Sequence, residues 1–121
     1  MSEAQLKSTG KLARKNCQPK SKATDAQLND LQVGKWDDAP ETKCYAYCLM
    51  NMYKIVDKTT GKFNEETAYN LLDMLPTARV APIKESISRC KGQDGGDDKC
   101  NSAYQVLKCI YFDNPSNYFA P

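Results

Sequence analysis

The residues with the most chemistry to offer are six cysteines, Cys17, Cys44, Cys48, Cys90, Cys100 and Cys109, in a chain of 121 residues. Thiols at this density could bind zinc, exchange electrons as a redox pair, or be joined as disulfides. Zinc modules bring their cysteines in close pairs, and a complete site needs two such pairs. Only Cys44 and Cys48 are that close. The C-x-x-C spacing of dithiol redox motifs is absent. An even set in a short chain points instead to a disulfide framework made in an oxidising compartment. The rest of the chain completes no reactive group. It has no histidine, which removes Ser-His and Cys-His nucleophile pairs, His-bearing zinc sites, and the simplest pH sensor between about 5 and 8. Nor does it contain G-x-S-x-G. A small helical phospholipase therefore has neither of its chemistries here. The expectation is no enzyme, no metal and no cofactor.

The elements that would hold these cysteines read as helices. No stretch alternates apolar and polar over the length of a strand, and the length suits one domain. A polar first helix runs from about Glu3 to Lys15, with Leu6, Leu12 and Ala13, and ends before QPKSK. Thr24 or Asp25 caps a second helix carrying Leu28 and Leu31, stopped by Gly34. Trp36, the only tryptophan, reads as a loop-packing or rim residue. The third helix starts near Thr42 and places Tyr45, Leu49, Met52, Tyr53 and Val56 on one face, until Asp57 and KTTGK close it. Asn64 caps a fourth helix with Glu65 and Glu66 in its first turn and Ala68, Leu71, Leu72 and Leu75 on its apolar face, ended by Pro76. A fifth helix is expected from Pro82 to Lys91, with Ile83, Ile87 and Cys90 on one side. GQDGGDD is a turn cluster. The sixth helix runs from about Asp98 to Phe112 through Ala103, Leu107, Ile110 and Tyr111.

Charge adds little. The net charge is +2. Lys7, Lys11, Arg14, Lys15, Lys20 and Lys22 cluster near the amino terminus against Glu3 alone. No aromatic residue interleaves with them as nucleic-acid stacking needs, so a solvated helix face is the simpler reading and no nucleic acid is expected. No apolar run approaches the roughly 20 residues of a membrane span. No leader-like apolar stretch follows Met1, and Met1 and Ser2 read as an unstructured start.

Helix geometry limits what the thiols can do. Four residues turn a helix by about 40° beyond a full circle, so Cys44 and Cys48 share a face and are poorly aimed at each other. Nine residues turn it by about 180°, so Cys100 and Cys109 face opposite neighbours. Each cysteine should therefore grip a different segment. Six cysteines still allow fifteen pairings, and geometry does not choose among them.

The full spacing, C-x26-C-x3-C-x41-C-x9-C-x8-C, resembles the six-cysteine signature of the insect odorant-binding proteins, the pheromone-binding and general odorant-binding family. KCYAYCLM, NLLDMLP and DNPSNYF strengthen the resemblance, which covers the chain from Cys17 to its end. It implies first-to-third, second-to-fifth and fourth-to-sixth pairing, here Cys17–Cys48, Cys44–Cys100 and Cys90–Cys109. That agrees with the helix angles.

The same resemblance implies one all-α domain over residues 1–121, about six helices around an apolar cavity. Its function would be that of a secreted carrier of small apolar volatiles, odorants or pheromones, in the fluid around sensory neurons. Ala68, Leu71, Leu75, Ile83, Ile87, Leu107, Ile110, Tyr118 and Phe119 are the matching wall positions. Met52, Tyr53 and Tyr111 join them as ligand-binding candidates, with Tyr45 and Tyr104 as further ones, and each could equally be plain core. The hydroxyls of Tyr118 and Tyr111 are the first candidates to bond a ligand oxygen. Residues 113–121 are too short for an added helix and long enough to close one wall as a lid. The expected partner is a small hydrophobic ligand, with an odorant receptor or a second copy of the chain as further partners and no stable membrane anchor. A secreted scavenger of small lipids or amines outside olfaction is the alternative.

Overall fold

The computed structural model describes residues 1–93 and 95–121. Six α-helices carry the chain: α1 Glu3–Ser21, α2 Asp25–Gln32, α3 Pro40–Met52, α4 Glu65–Leu72, α5 Thr77–Cys90 and α6 Lys99–Asp113, followed by a 3₁₀ turn over Pro115–Asn117. Among the described residues the only extended pairing is one isolated bridge, Val56 to Phe63.

Three helix starts follow directly from their caps. Thr24 and Gln27 form a capping box at α2, the Asn64 side chain accepts from the Thr67 N–H at α4, and Asp98 accepts from the N–H groups of Cys100 and Asn101 at α6. Each satisfies amide donors that have no partner inside the helix. Ser2 does the same for α1 in a box with Gln5, and the Met1 ammonium donates to the Met74 carbonyl at 3.2 Å. The first two residues are thus tied in rather than loose.

Elsewhere the boundaries depart from the sequence reading. α1 continues past Lys15 and through Pro19 to Ser21. Proline removes one helical hydrogen bond, but here only two residues of helix follow it, and Lys22, in the left-handed region at φ 63°, closes the helix through its N–H to the Gln18 carbonyl. Leu12 does not join the packed stripe. It is 68% exposed, whereas Leu6, Gly10, Ala13 and Cys17 are buried.

α3 begins at Pro40, which suits a first-turn position, and Thr42 is buried inside it, donating to Asp37 at 3.2 Å, rather than capping it. The helix ends at Met52, short of Asp57. Ile55 and Val56 leave helical pairing for the bridge to Phe63. The Asp57 carboxylate then accepts from the N–H groups of Thr59 and Thr60, folding KTTGK into a tight turn.

α5 starts at Thr77, five residues before the expected Pro82. Pro82 sits within the second turn, where its missing N–H leaves one early bond unmade while the helix continues. Of the turn cluster after α5, Asp94 lies outside the described residues.

α3 packs between α1 and α6, and α5 lies against another side of α6. The disulfides join the same neighbours: Cys17–Cys48 links α1 to α3, Cys44–Cys100 links α3 to α6, and Cys90–Cys109 links α5 to α6. Each spans a sequence separation of 19 to 56 residues. Chain-entropy arguments put each bridge at about 3–4 kcal/mol. Trp36, in the loop before α3, takes the packing role of the two expected for it rather than the rim one. Its ring lies against Tyr104, Tyr111 and Tyr118 at 5.3, 5.7 and 5.8 Å between centroids. Tyr111 also closes over Gly34, where a Cβ would stand 2.2 Å from the tyrosine ring and where φ is +80°. Only glycine fits there.

Candidate functional site

The helices do not close completely on one another. A cavity of about 310 Å³ remains among α1, α3, α4, α5, α6 and the carboxy-terminal tail. α4 and the turn after it contribute Ala68, Leu71, Leu72, Met74 and Leu75. α5 presents Arg79, Ile83 and Ile87, spaced four apart and so stacked on one face. α6 adds Leu107 and Ile110, and α3 adds Leu49 and Met50, with Tyr53 just past its end. Ile55 and Phe63 enter from the bridged turn. α1 supplies Leu6, Thr9, Gly10 and Ala13, and the tail supplies Asn117, Tyr118, Phe119 and Pro121. The more exposed lining residues, Met1, Tyr53 and Met74, mark where the cavity meets solvent.

The structure brings together Ala68, Leu71, Leu75, Ile83, Ile87, Leu107, Ile110, Tyr53, Tyr118 and Phe119 on this wall. Met52 and Tyr111 lie elsewhere. Because α3 ends at Met52, that side chain turns outward, 41% exposed, with its sulfur 3.4 Å from Cys17 Sγ, and Met50 takes the inward position. Tyr111 belongs to the Trp36 cluster, 4.9 Å from the Tyr118 ring. Tyr45 and Tyr104 are fully buried core.

Three of the tyrosine hydroxyls are committed within the protein. Tyr118 donates to the Leu31 carbonyl at 2.8 Å, Tyr104 to the Asp37 carbonyl at 2.7 Å, and Tyr45 to the Pro121 carbonyl at 3.1 Å. Burial pushes the Tyr45 and Tyr104 phenols up to about 12, and Tyr118 rises further for the same reason. All three stay protonated donors at physiological pH. The Tyr118 ring therefore faces the cavity while its hydroxyl serves the α2 terminus, contrary to its expected role as a ligand's partner. The polar groups left on the wall are those of Thr9, Arg79, Asn117 and Tyr53.

Several lining residues were not anticipated. On α1, Leu6, Gly10 and Ala13 line the cavity and, with the buried Cys17, recur at i, i+4, i+7 and i+11, a helix-face signal present in the sequence. Gly10 has a specific reason: a Cβ there would stand 2.7 Å from Phe119 Cζ. Ile55 and Phe63 depend on a bridge that no local pattern announces. Arg79 was outside the expected span of its helix.

Among the described residues no group of three or more His, Cys, Asp or Glu side chains is placed to hold a metal ion. Nor, among the described residues, is any helix long and apolar enough to cross a membrane.

Comparison with known proteins agrees with this geometry. The PBP/GOBP family matches residues 1–112. General odorant-binding protein 72 of Anopheles gambiae is 31% identical over 121 aligned residues, covering 98% of each chain. The crystal structure of Odorant Binding Protein 4 of Chrysopa pallens superposes with a TM-score of 0.92 at 40% identity, covering 100% of this chain and 99% of that one. Odorant Binding Protein 7 from Anopheles gambiae, solved in complex with an azo compound, superposes with a TM-score of 0.78 at 28% identity, covering 92% of this chain and 87% of that one. With its six-cysteine pairing, six helices and these relatives, the chain belongs to the PBP/GOBP family of odorant-binding proteins, as a non-catalytic carrier of small hydrophobic ligands.

Proposed function

We propose that this chain reversibly binds small apolar volatiles in the cavity between its helices and carries them through extracellular sensory fluid. The supporting observation is the cavity wall itself, apolar except for four side chains. A domain held by three disulfides need not rely on its core alone for stability and can tolerate a hole. The azo compound in complex with the Anopheles relative is a precedent for a small organic ligand on this fold.

The volume bounds the ligand. At a water's share of roughly 30 Å³, a cavity of about 310 Å³ holds about ten non-hydrogen atoms. Burying about ten CH₂ groups contributes roughly 8 kcal/mol. Association and ordering costs reduce the gain, while hydrogen bonds at the polar groups add to it, so micromolar dissociation constants are expected.

In this reading the wall is formed by Ala68, Leu71, Leu75, Ile83, Ile87, Leu107, Ile110 and Tyr53, and residues 113–121 act as the lid, with Tyr118 and Phe119 as its inner surface. Contacts that seat the tail include Phe119 on Gly10 and the Tyr45 hydroxyl on Pro121.

The test is displacement of N-phenylnaphthylamine fluorescence by a panel of volatiles, repeated after the disulfides are reduced. Displacement at micromolar concentrations that is lost on reduction supports the proposal. A panel in which no apolar compound displaces the probe sinks it.

A further inference from the structure

We infer that the cavity selects neutral ligands bearing a hydrogen-bond acceptor, such as ketones or esters, over carboxylates of the same length, and that Glu3 sets this preference by occupying the Arg79 guanidinium. The inference rests on the carrier reading above and specifies the ligand class.

Among the described residues, Arg79 is the only charged side chain on the cavity wall. Left unpaired, a guanidinium beside an apolar void would be a natural partner for a carboxylate, which it can grip with two parallel hydrogen bonds. It is not unpaired. Its Nε donates to both oxygens of Glu3, at 2.7 and 3.1 Å. Its Nη1 donates to the Asn117 carbonyl at 3.0 Å, and Asn117 Nδ2 donates back to the Arg79 carbonyl at 3.3 Å. The Phe119 ring centroid lies 5.8 Å from Cζ. Arg79 thus clasps the first turn of α1, the start of α5 and the tail.

Two consequences follow for a ligand. The Glu3–Arg79 pair is neutral as a unit, so an entering carboxylate meets Glu3 as well as Arg79. It gains little net attraction and still loses its hydration. Meanwhile the hydrogen bonds that Arg79 makes among the described residues run through Nε and Nη1 and leave Nη2 unused, and Thr9 adds a hydroxyl to the same wall. Those N–H groups can serve a neutral acceptor oxygen, which costs far less to desolvate than a charge. Arg79 keeps 20% of its side-chain exposure and Glu3 keeps 60%. The pair is therefore partly screened, and the selectivity is strongest at low salt.

The experiment compares a straight methyl ketone and a straight carboxylate of about ten carbons, displacing N-phenylnaphthylamine at about pH 8, where a free carboxylic acid is ionised. The wild type is expected to bind the ketone at least about tenfold more tightly. Glu3→Gln, isosteric at an exposed site, should raise carboxylate affinity by about tenfold and leave the ketone within about twofold. Adding Arg79→Gln to Glu3→Gln should abolish the carboxylate gain. A purely structural clasp would behave differently, since loosening it would weaken both ligands together.

A wild type that binds the carboxylate as well as the ketone overturns the inference. So does a Glu3→Gln variant whose carboxylate-to-ketone ratio moves by less than about twofold. In both cases the carrier reading survives, because both ligands still bind. If neither compound displaces the probe from any variant, wild type included, the carrier reading falls and this inference with it.

Discussion

Replacing Tyr118 by Phe removes one oxygen and leaves the ring. In the structure that oxygen donates to the Leu31 carbonyl at 2.8 Å, and the ring packs 4.9 Å from Tyr111 and 5.8 Å from Trp36. The Leu31 carbonyl keeps a second donor, the Gly34 N–H at 3.1 Å, so it is not orphaned by the change. The cost should be that of one ordinary hydrogen bond, about 1 kcal/mol. With an unfolding entropy of roughly 2.1 cal/mol/K per residue over 121 residues, that lowers Tm by about 4 °C. Ligand affinity should change little, because the hydroxyl is spent outside the cavity. The assay pairs a thermal melt, disulfides intact, with probe displacement by an alcohol and by a hydrocarbon of equal length. A shift of about 4 °C with both affinities held within about threefold agrees with the assignment. An unchanged Tm with a loss of about tenfold or more for the alcohol alone would refute it, and would return the hydroxyl to the role of ligand partner.

Other outcomes follow from the same contacts. Deleting residues 116–121 removes Asn117, Tyr118 and Phe119 from the wall and should weaken every ligand by about tenfold or more; unchanged affinity for all of them would refute the lid. The chain has no histidine, and among the described residues the wall carries no Asp or Glu side chain. Affinity should therefore hold from about pH 7.5 to about 6, with any loss nearer about 5, and a steep fall centred on about pH 6.5 would contradict this. Asp113 is held down to about 2 by its hydrogen bonds from Arg89 and then Ser86. A depressed carboxylate stabilises the fold above its unfolded value near 3.9, and that stability is lost as pH falls toward about 2. Asp113→Asn should therefore lower stability at neutral pH and flatten the acid limb between those values, as read by urea melts across pH.

Much of the architecture was written locally. Thr24, Asn64 and Asp98 cap the helices that follow them, and the cysteine spacing separated a disulfide framework from metal and redox chemistry. The pairing itself came from family resemblance, since helix angles exclude few of the fifteen combinations. Boundaries failed where a local rule met tertiary context. Pro19 and Pro82 read as a stop and a start, yet each lies inside a helix, near the end of α1 and in the second turn of α5. Val56 continued an apolar helical face on paper, and the bridge to Phe63 took it out of the helix.

The same failures explain the site. Ile83, Ile87, Leu107 and Ile110 were legible because apolar periodicity persists to the helix ends. Met52 was misplaced because α3 stops one turn early, and Arg79 was passed over because α5 starts one turn early. Tyr111 carries the periodicity of a wall residue, but Gly34 and Trp36 draw its ring to another face of α6. Nothing local to Tyr118 shows that the Leu31 carbonyl, 87 residues away in sequence, takes its hydroxyl.

The central claim is that this space is a ligand site rather than slack core. Ala68, 4% exposed on the cavity wall, offers the most direct measurement: probe displacement by a ketone of about ten carbons in the wild type and in Ala68→Leu, each with a thermal melt. A leucine side chain growing into a void should leave Tm unchanged or raised while weakening the ketone by about tenfold or more. In a well-packed core the same change would cost about 1–3 kcal/mol through overpacking. Micromolar displacement in the wild type that is lost in a stable Ala68→Leu protein is the predicted result. A destabilised variant that binds the ketone as tightly as the wild type would contradict it.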